Sequence, residues 1–350
     1  MSGVELVTVT EAEGEQRLDR WLRRRYPHLT QGMVEKLCRT GQVRIDGARA
    51  RAAARVSPGA VVRVPPLPDP GTEAPRREAS DTIPDADAEM IRSCVLWQDQ
   101  HIIVLNKPAG LPSQGGSGLG NRHVDGLTPA LMFGYKERPK LVHRLDKDTS
   151  GLLLLARTDR VARGLSEAFR NRTTRKIYWA VVAGLPAPRM GTIRFGLVKA
   201  PGRGTGGEGE RMRCIHPGEV AKTEGAKRAT TDYAVLSALG TRAAWVALVP
   251  ITGRTHQLRA HMAEIGHPIA GDGKYGGSGQ ENLGDGWGAQ LGGDVSRKLH
   301  LHARGLWIDH PVTGKRLHFT APLPAHMART WEMMGWREGD VPDDPFEEAP

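Results

Sequence analysis

The feature that most limits how this chain can fold is an abrupt change of character between residues 143 and 156. His143-Arg-Leu-Asp-Lys-Asp-Thr-Ser150 is almost wholly polar, and past Gly151 the run Leu152–Ala156 is wholly apolar. Five apolar residues without alternation have the length of a strand and read as one buried on both faces. A polar loop at the start of such a strand has its backbone fixed by the core and its side chains free to face a cleft. On local chemistry alone two readings stand level. Asp146 and Asp148 either form a reactive centre or simply pair with Arg144 and Lys147, with Thr149 and Ser150 making a turn.

Strand signals continue on either side. Cys94–Trp97 and His101–Leu105 flank a Gln-Asp-Gln turn and predict a hairpin; Tyr178–Val182, Tyr233–Leu236 and Trp245–Val249 predict further strands. Helical patterns are fewer, at Arg160–Arg170 and Thr255–Ile265. Strands that outnumber helices and do not alternate with them place the domain in the α+β class. The larger predicted region spans 93–330. A segment rich in Pro, Asp, Glu and Ala at 65–92 reads as a linker, and the acidic 331–350 as a disordered tail. Two Gly-rich stretches, 200–210 and 276–293, read as loops.

Ahead of the linker, and after an N-terminal segment 1–15, residues 16–64 form a basic module. Between Gln16 and Val64 there are twelve Lys and Arg against three Asp and Glu. Leu18, Trp21 and Leu22 recur at helical spacing, surrounded by Arg17, Arg20, Arg23, Arg24 and Arg25. Thr30 predicts the N-cap of a second helix carrying Met33, Val34, Leu37 and Cys38, with Gly41 at its end. Val43–Ile45, an Asp46-Gly47 turn and Val61–Val64 predict a small sheet. The whole chain of 350 residues carries a formal charge of +10, which favours a polyanionic partner.

Other classes lose support. No run of eighteen apolar residues is present, and the N-terminus lacks the pattern of a secretory signal. Three scattered cysteines give neither a disulfide framework nor a zinc motif, and fit a reducing cytoplasm. Gly202-Arg-Gly-Thr-Gly-Gly207 spells a dinucleotide fingerprint but lacks the strand before it and the apolar helix after it. His256 and His261 lie about 140° apart around a helix, too far to grip one metal ion. No metal and no nucleotide cofactor is expected.

The loop first described settles between its two readings by resemblance. HRLDKDTSG (143–151) is similar to the signature of the RluA family of pseudouridine synthases. LNKPAGL (105–111) precedes it. RKIYWAVVAG (175–184), the GRTHQLRAH and PIAGDGKYG segments within 249–276, and HPVTG…FTAPLP (310–324) follow in the family's order. GGSG (115–118) is closest to the synthase C branch, which acts on large-subunit ribosomal RNA. RLDRWL (17–22) and GQVRIDG (41–47) resemble the S4-type RNA-binding domain. The fold implied is a pseudouridine synthase domain, a mixed and mostly antiparallel sheet flanked by helices, behind a small S4-like module.

The resemblance also implies roles. Asp146 is the essential carboxylate, Tyr178 stacks on the uracil, and Arg259 pairs with Asp146. Arg144 enters the RNA stack when the base is flipped, and Arg254 and His256 line the cleft. Arg17, Arg20, Arg23 and Arg39 are expected to contact RNA from the S4-like module. The expected partner is RNA, 23S ribosomal RNA or large-subunit assembly intermediates, with no membrane involved and a monomeric enzyme. Transfer RNA as substrate, and a non-catalytic role in RNA binding or ribosome assembly, are the alternatives.

Overall fold

The structure is a computed structural model; it describes residues 3–67, 83–115, 120–171, 173–200, 211–276 and 295–346. The chain divides into two compact units, 1–80 and 81–350. The fingerprint-like 202–207, most of the 200–210 and 276–293 stretches and most of GGSG lie outside the described residues.

In the first unit, α1 (Leu18–Arg25) buries Leu18, Trp21 and Leu22 and leaves Arg20, Arg23, Arg24 and Arg25 exposed. In α2 (Gln31–Arg39), the Thr30 side chain caps the first turn by accepting from the Met33 N–H at 3.3 Å. A four-stranded sheet runs in the order β1 (Glu5–Thr8), β6 (Val61–Val64), β3 (Arg44–Ile45), β4 (Ala48–Arg49). β2 (Gln16–Arg17) pairs separately with β5 (Arg55–Val56). The β3–β4 turn has φ 48° at Asp46 and 78° at Gly47, the primed geometry that matches strand twist.

Residues 1–15, read as a separate segment, differ from expectation. β1 is an outer strand of this sheet, and Val7 and Val9 enter the same core as Trp21 and Val62.

In the second unit, eleven strands among the described residues form one sheet. Its main order is β13 (Met212–Ile215), β12 (Met190–Lys199), β14 (Lys227–Leu239), β15 (Ala243–Pro250), β11 (Arg175–Ala183), β16 (Leu301–Asp309), β10 (Ser150–Ala156), β8 (Ile102–Lys107), β7 (Val95–Gln98). β17 (Arg316–Thr320) pairs with β16, and β9 (Lys140–Leu141) with β10. The β10–β16 pairing is parallel; the others are antiparallel. The fold is thus α+β with a mixed, mostly antiparallel sheet.

All seven residues of β10 are buried, as its unbroken apolar run requires. Gly151 has φ +107°, and a Cβ there would stand 2.3 Å from the Ala303 carbonyl oxygen. Only glycine lets β10 approach β16 this closely. Along β11, Ile177, Trp179 and Val181 face one side, while Tyr178, Ala180 and Val182 face the other. α6 (Gln257–Glu264) covers the second side through Leu258 and Met262. α5 (Asp159–Asn171) packs on β10 through Val161 and Leu165.

Two boundaries differ from the sequence reading. α3 (Asp85–Ser93) lies within the stretch read as linker, its Ala88 and Ile91 packed into the core beside α4 (Val124–Leu127). Residues 331–346 are not a disordered tail. Trp331 of α7 (Ala325–Met333), Met334 and Trp336 are buried against Trp179 and Trp245, with Trp331 and Trp245 ring centroids 5.3 Å apart. The acidic residues that suggested disorder are ion partners: Asp344 takes Arg175 at 2.7 Å and Glu338 takes Arg304 at 2.6 Å. Among the described residues, no helix is long and apolar enough to cross a membrane.

Candidate active site

Residues 142–149 connect β9 to β10 and carry Asp146. Leu145 is buried and roots the loop, while Asp146 keeps 27% of its side chain exposed. Two neighbouring side chains hold the loop backbone on either side of Asp146. Ser113 Oγ donates to the Leu145 carbonyl at 2.7 Å and accepts from the Leu145 N–H at 3.0 Å. Lys107, at the end of β8, is fully buried; its Nζ donates to the carbonyls of Pro108, Leu111 and Lys147 at 2.8–3.1 Å. Burial pulls the Lys107 pKa down to about 7, against the pull of the Asp148 and Asp146 charges. The backbone on either side of Asp146 is therefore held, at Leu145 and at Lys147.

Across the cleft, the turn from β15 into α6 supplies the cations. Gln257 locks it: the Thr252 hydroxyl and the Arg254 N–H both donate to Gln257 Oε1, at 2.6 and 3.1 Å. Gln257 Nε2 in turn donates to the Thr230 carbonyl at 2.8 Å. His256 caps the helix in left-handed backbone, φ 51°, an uncommon conformation for a side chain with a Cβ. Its Nε2 lies 3.9 Å from Asp146 Oδ2, and its Nδ1 lies 3.0 Å from the Tyr275 hydroxyl. That hydroxyl already accepts from the Met212 N–H at 2.8 Å. Burial holds the His256 pKa below its ordinary value, with the Asp146 charge partly opposing.

Arg259 Nη1 lies 3.7 Å from Asp146 Oδ2, long for a direct hydrogen bond. The bidentate partner of Arg259 is another carboxylate: Nε and Nη2 both reach Asp272, each at 2.7 Å. Burial alone would lower the Arg259 pKa, but the Asp272 bonds and charge, then Asp146, outweigh it and raise it. Asp272 thus aims a permanent cation at Asp146. Tyr178 forms part of the same wall. Burial, then the Asp146 charge, push its pKa well above 10, so it faces the cleft as a neutral phenol.

Asp146, Tyr178, Arg259, Arg254, His256 and Arg144 all line one cleft of about 710 Å³. Arg144 is exposed at its edge, 3.4 Å from Gln114 Oε1. Arg254 is exposed, with Nε on the Arg228 carbonyl at 3.3 Å. Arg17, Arg20, Arg23 and Arg39 belong to the other unit. Arg20, Arg23 and Arg39 are exposed, while Arg17 is engaged by Asp19 at 2.6 and 3.0 Å. Sequence reasoning gave no role to Lys107, Ser113, Asp272 or Tyr275. Lys107, Asp272 and Tyr275 lie inside segments already singled out, LNKPAGL and PIAGDGKYG, where spacing does not reveal what a side chain reaches.

Comparison with known proteins shows what the chain is similar to. A family model described as RNA pseudouridylate synthase matches residues 101–264, and an S4 domain model matches 16–62. The chain is 31% identical to a Vibrio cholerae protein named ribosomal large subunit pseudouridine synthase C, over 95% of this chain and 97% of that one. It is 33% identical to a Yersinia pestis protein of the same name, over 91% and 92%. Among solved structures it resembles human RNA pseudouridylate synthase domain containing 4, with a TM-score of 0.57 and 31% identity, over 72% of this chain and 96% of that one.

Proposed function

The chain belongs to the RNA pseudouridylate synthase family, and on that basis we propose that it converts specific uridines of 23S ribosomal RNA to pseudouridine, with Asp146 as the essential carboxylate. The reaction breaks the N1–C1′ bond, turns the uracil, and joins C5 to C1′. The C5 proton leaves and N1 ends protonated, so atoms and oxidation state balance and no cofactor is called for. The ribosomal substrate is supported by the names of relatives that match nearly the whole chain and by an S4 domain at the N-terminus. It implies work in the cytoplasm, where ribosomes assemble.

The observation that carries the chemical part is the setting of Asp146. It is a part-exposed carboxylate on an immobilised loop, 3.7 Å from a buried arginine and facing a neutral histidine. An ionised carboxylate so placed can attack C1′ or stabilise positive charge developing there. The arginine sets a fixed positive charge beside it, and Tyr178 offers a flat, neutral surface to a flipped uracil. Extruding the base costs a few kcal/mol, which contacts to the RNA backbone must offset.

The test maps pseudouridine in ribosomal and transfer RNA from the parent strain, a deletion strain and a strain carrying Asp146→Ala. The expected outcome is loss of the same 23S sites in both altered strains. Persistence of every 23S site would end the ribosomal assignment, and loss confined to tRNA would move the substrate. Loss in the deletion but not in Asp146→Ala would leave the carboxylate without its role.

A further inference from the structure

A second cavity of about 640 Å³ opens from the catalytic cleft. The two share Phe169 and Arg170 at the end of α5, Lys176 of β11, and residues of the 250–254 turn. Beyond that junction the groove passes Thr173 and reaches Arg316, which lines only the second cavity. Among the described residues, its walls hold five cationic side chains and no carboxylate.

The five cations are not equivalent. Arg175 is bound at two points to Asp344, at 2.7 and 2.8 Å. Arg316 is about half exposed and meets Asp309 at 3.1 Å with one nitrogen. Arg170 and Arg254 are exposed. Lys176 is the exceptional one. It is partly buried, its Nζ stands 5.7 Å from the Phe169 ring centre, and no carboxylate reaches it among the described residues. Burial draws its pKa down. A cation held in a cleft without an anion is costly unless something negative arrives. Lys176 also shares a strand face with Tyr178, one pleat repeat or roughly 6.6 Å away. The unpaired cation therefore sits about one side chain from the surface that receives the base.

We propose that this groove holds the RNA backbone on one side of the flipped uridine, with Lys176 at its entrance and Arg316 farther out taking phosphodiester oxygens. The inference rests on the functional reading above and adds to it a direction for the strand leaving the site. A small anion would also suit Lys176. The groove favours a strand because it is continuous with the catalytic cleft and keeps its positive lining well past the lysine.

The test uses the full chain with Asp146→Asn, so that RNA binds without turnover. Affinity for a stem-loop carrying the target uridine is measured by fluorescence anisotropy across a salt series. Lys176→Met and Arg316→Gln are added singly, with Lys222→Gln, which lines neither cavity, as control. Each groove variant is expected to weaken binding about 3- to 10-fold at low salt. Each should also reduce the slope of log affinity against log salt by about 0.7–0.9. Both effects should vanish when the RNA is shortened on one side of the uridine and persist when it is shortened on the other.

Unchanged slopes, or equal losses with both shortened RNAs, would overturn the proposal. Millimolar inorganic phosphate bound through Lys176, with the RNA slope unaltered, would mark a small-anion site and overturn it too. Arg316 is exposed, so its variant reports even if Lys176→Met misfolds. Should the wild-type chain form no pseudouridine in any RNA, the functional reading fails, while the binding slopes still decide the groove.

Discussion

Arg259 stands between two carboxylates, and they have different tasks. Asp272 is fully buried and binds the guanidinium at two points; Asp146 is part-exposed and lies 3.7 Å away. Removing one member of a buried pair leaves an uncompensated charge, at a cost of about 3 kcal/mol or more. Asp272→Asn is therefore expected to lower the urea midpoint of the catalytic unit substantially and to reduce kcat, because Arg259 loses its aim. Asp146→Asn should leave the midpoint close to wild type while removing turnover. Equal midpoints for the two variants would contradict this division of labour. The candidate site was legible in the sequence to the extent that its residues carry their own motif. HRLD, KxY and HQxR exposed Asp146, Tyr178 and Arg259. Asp272 and Lys107 were not legible, because their importance lies in partners 13 and 40 residues away that only folding supplies.

Among the elements, those with a strong period or cap were readable. The helix after Thr30, the hairpin at 95–107 and β10 appear where apolar spacing and turn residues place them. β12 gave no clear signal, since Gly191, Arg194 and Gly196 interrupt its alternation. The C-terminal segment was misread because acidic composition outweighed its large apolar residues, Trp331, Met334, Trp336 and Phe346 among them. Trp331 shows what that missed. It is 2% exposed and packs against Trp179, Trp245 and Trp336. Trp331→Ala is expected to cost about 3–5 kcal/mol, read from urea unfolding followed by far-UV circular dichroism. A change below 1 kcal/mol would mean the segment merely rests on the sheet.

At the scale of the whole molecule, charge and protonation divide between the units. The exposed Arg20, Arg23 and Arg39 lie in the S4 unit, outside the catalytic cleft. Converting all three to Gln should raise KM and reduce the salt slope of RNA binding by about 2–3, with single-turnover rate at saturating RNA unchanged. A fall in that rate would implicate the module in the chemical step. The catalytic unit instead carries four histidines whose pKa values are strongly lowered. Burial, the largest cause, holds His143 and His302 at about 3 and His261 and His300 at about 4. Their unfolded forms take protons near 6.5, so acid favours unfolding between that pH and the folded values. Each site removes up to ~1.4 kcal/mol per pH unit across that window, and nothing above it. The urea midpoint should fall steeply from pH 6.5 toward 4.5, and a constant midpoint over that range would refute the assignment. The topology adds a matter of timing. β10, which follows the Asp146 loop, and β11, which carries Tyr178, do not touch directly; β16 lies between them, built from residues 301–309. A chain emerging from the ribosome has made both halves of its active site long before it makes the strand that joins them. The two halves of the cleft can therefore be joined in one sheet only after residues 301–309 have been made.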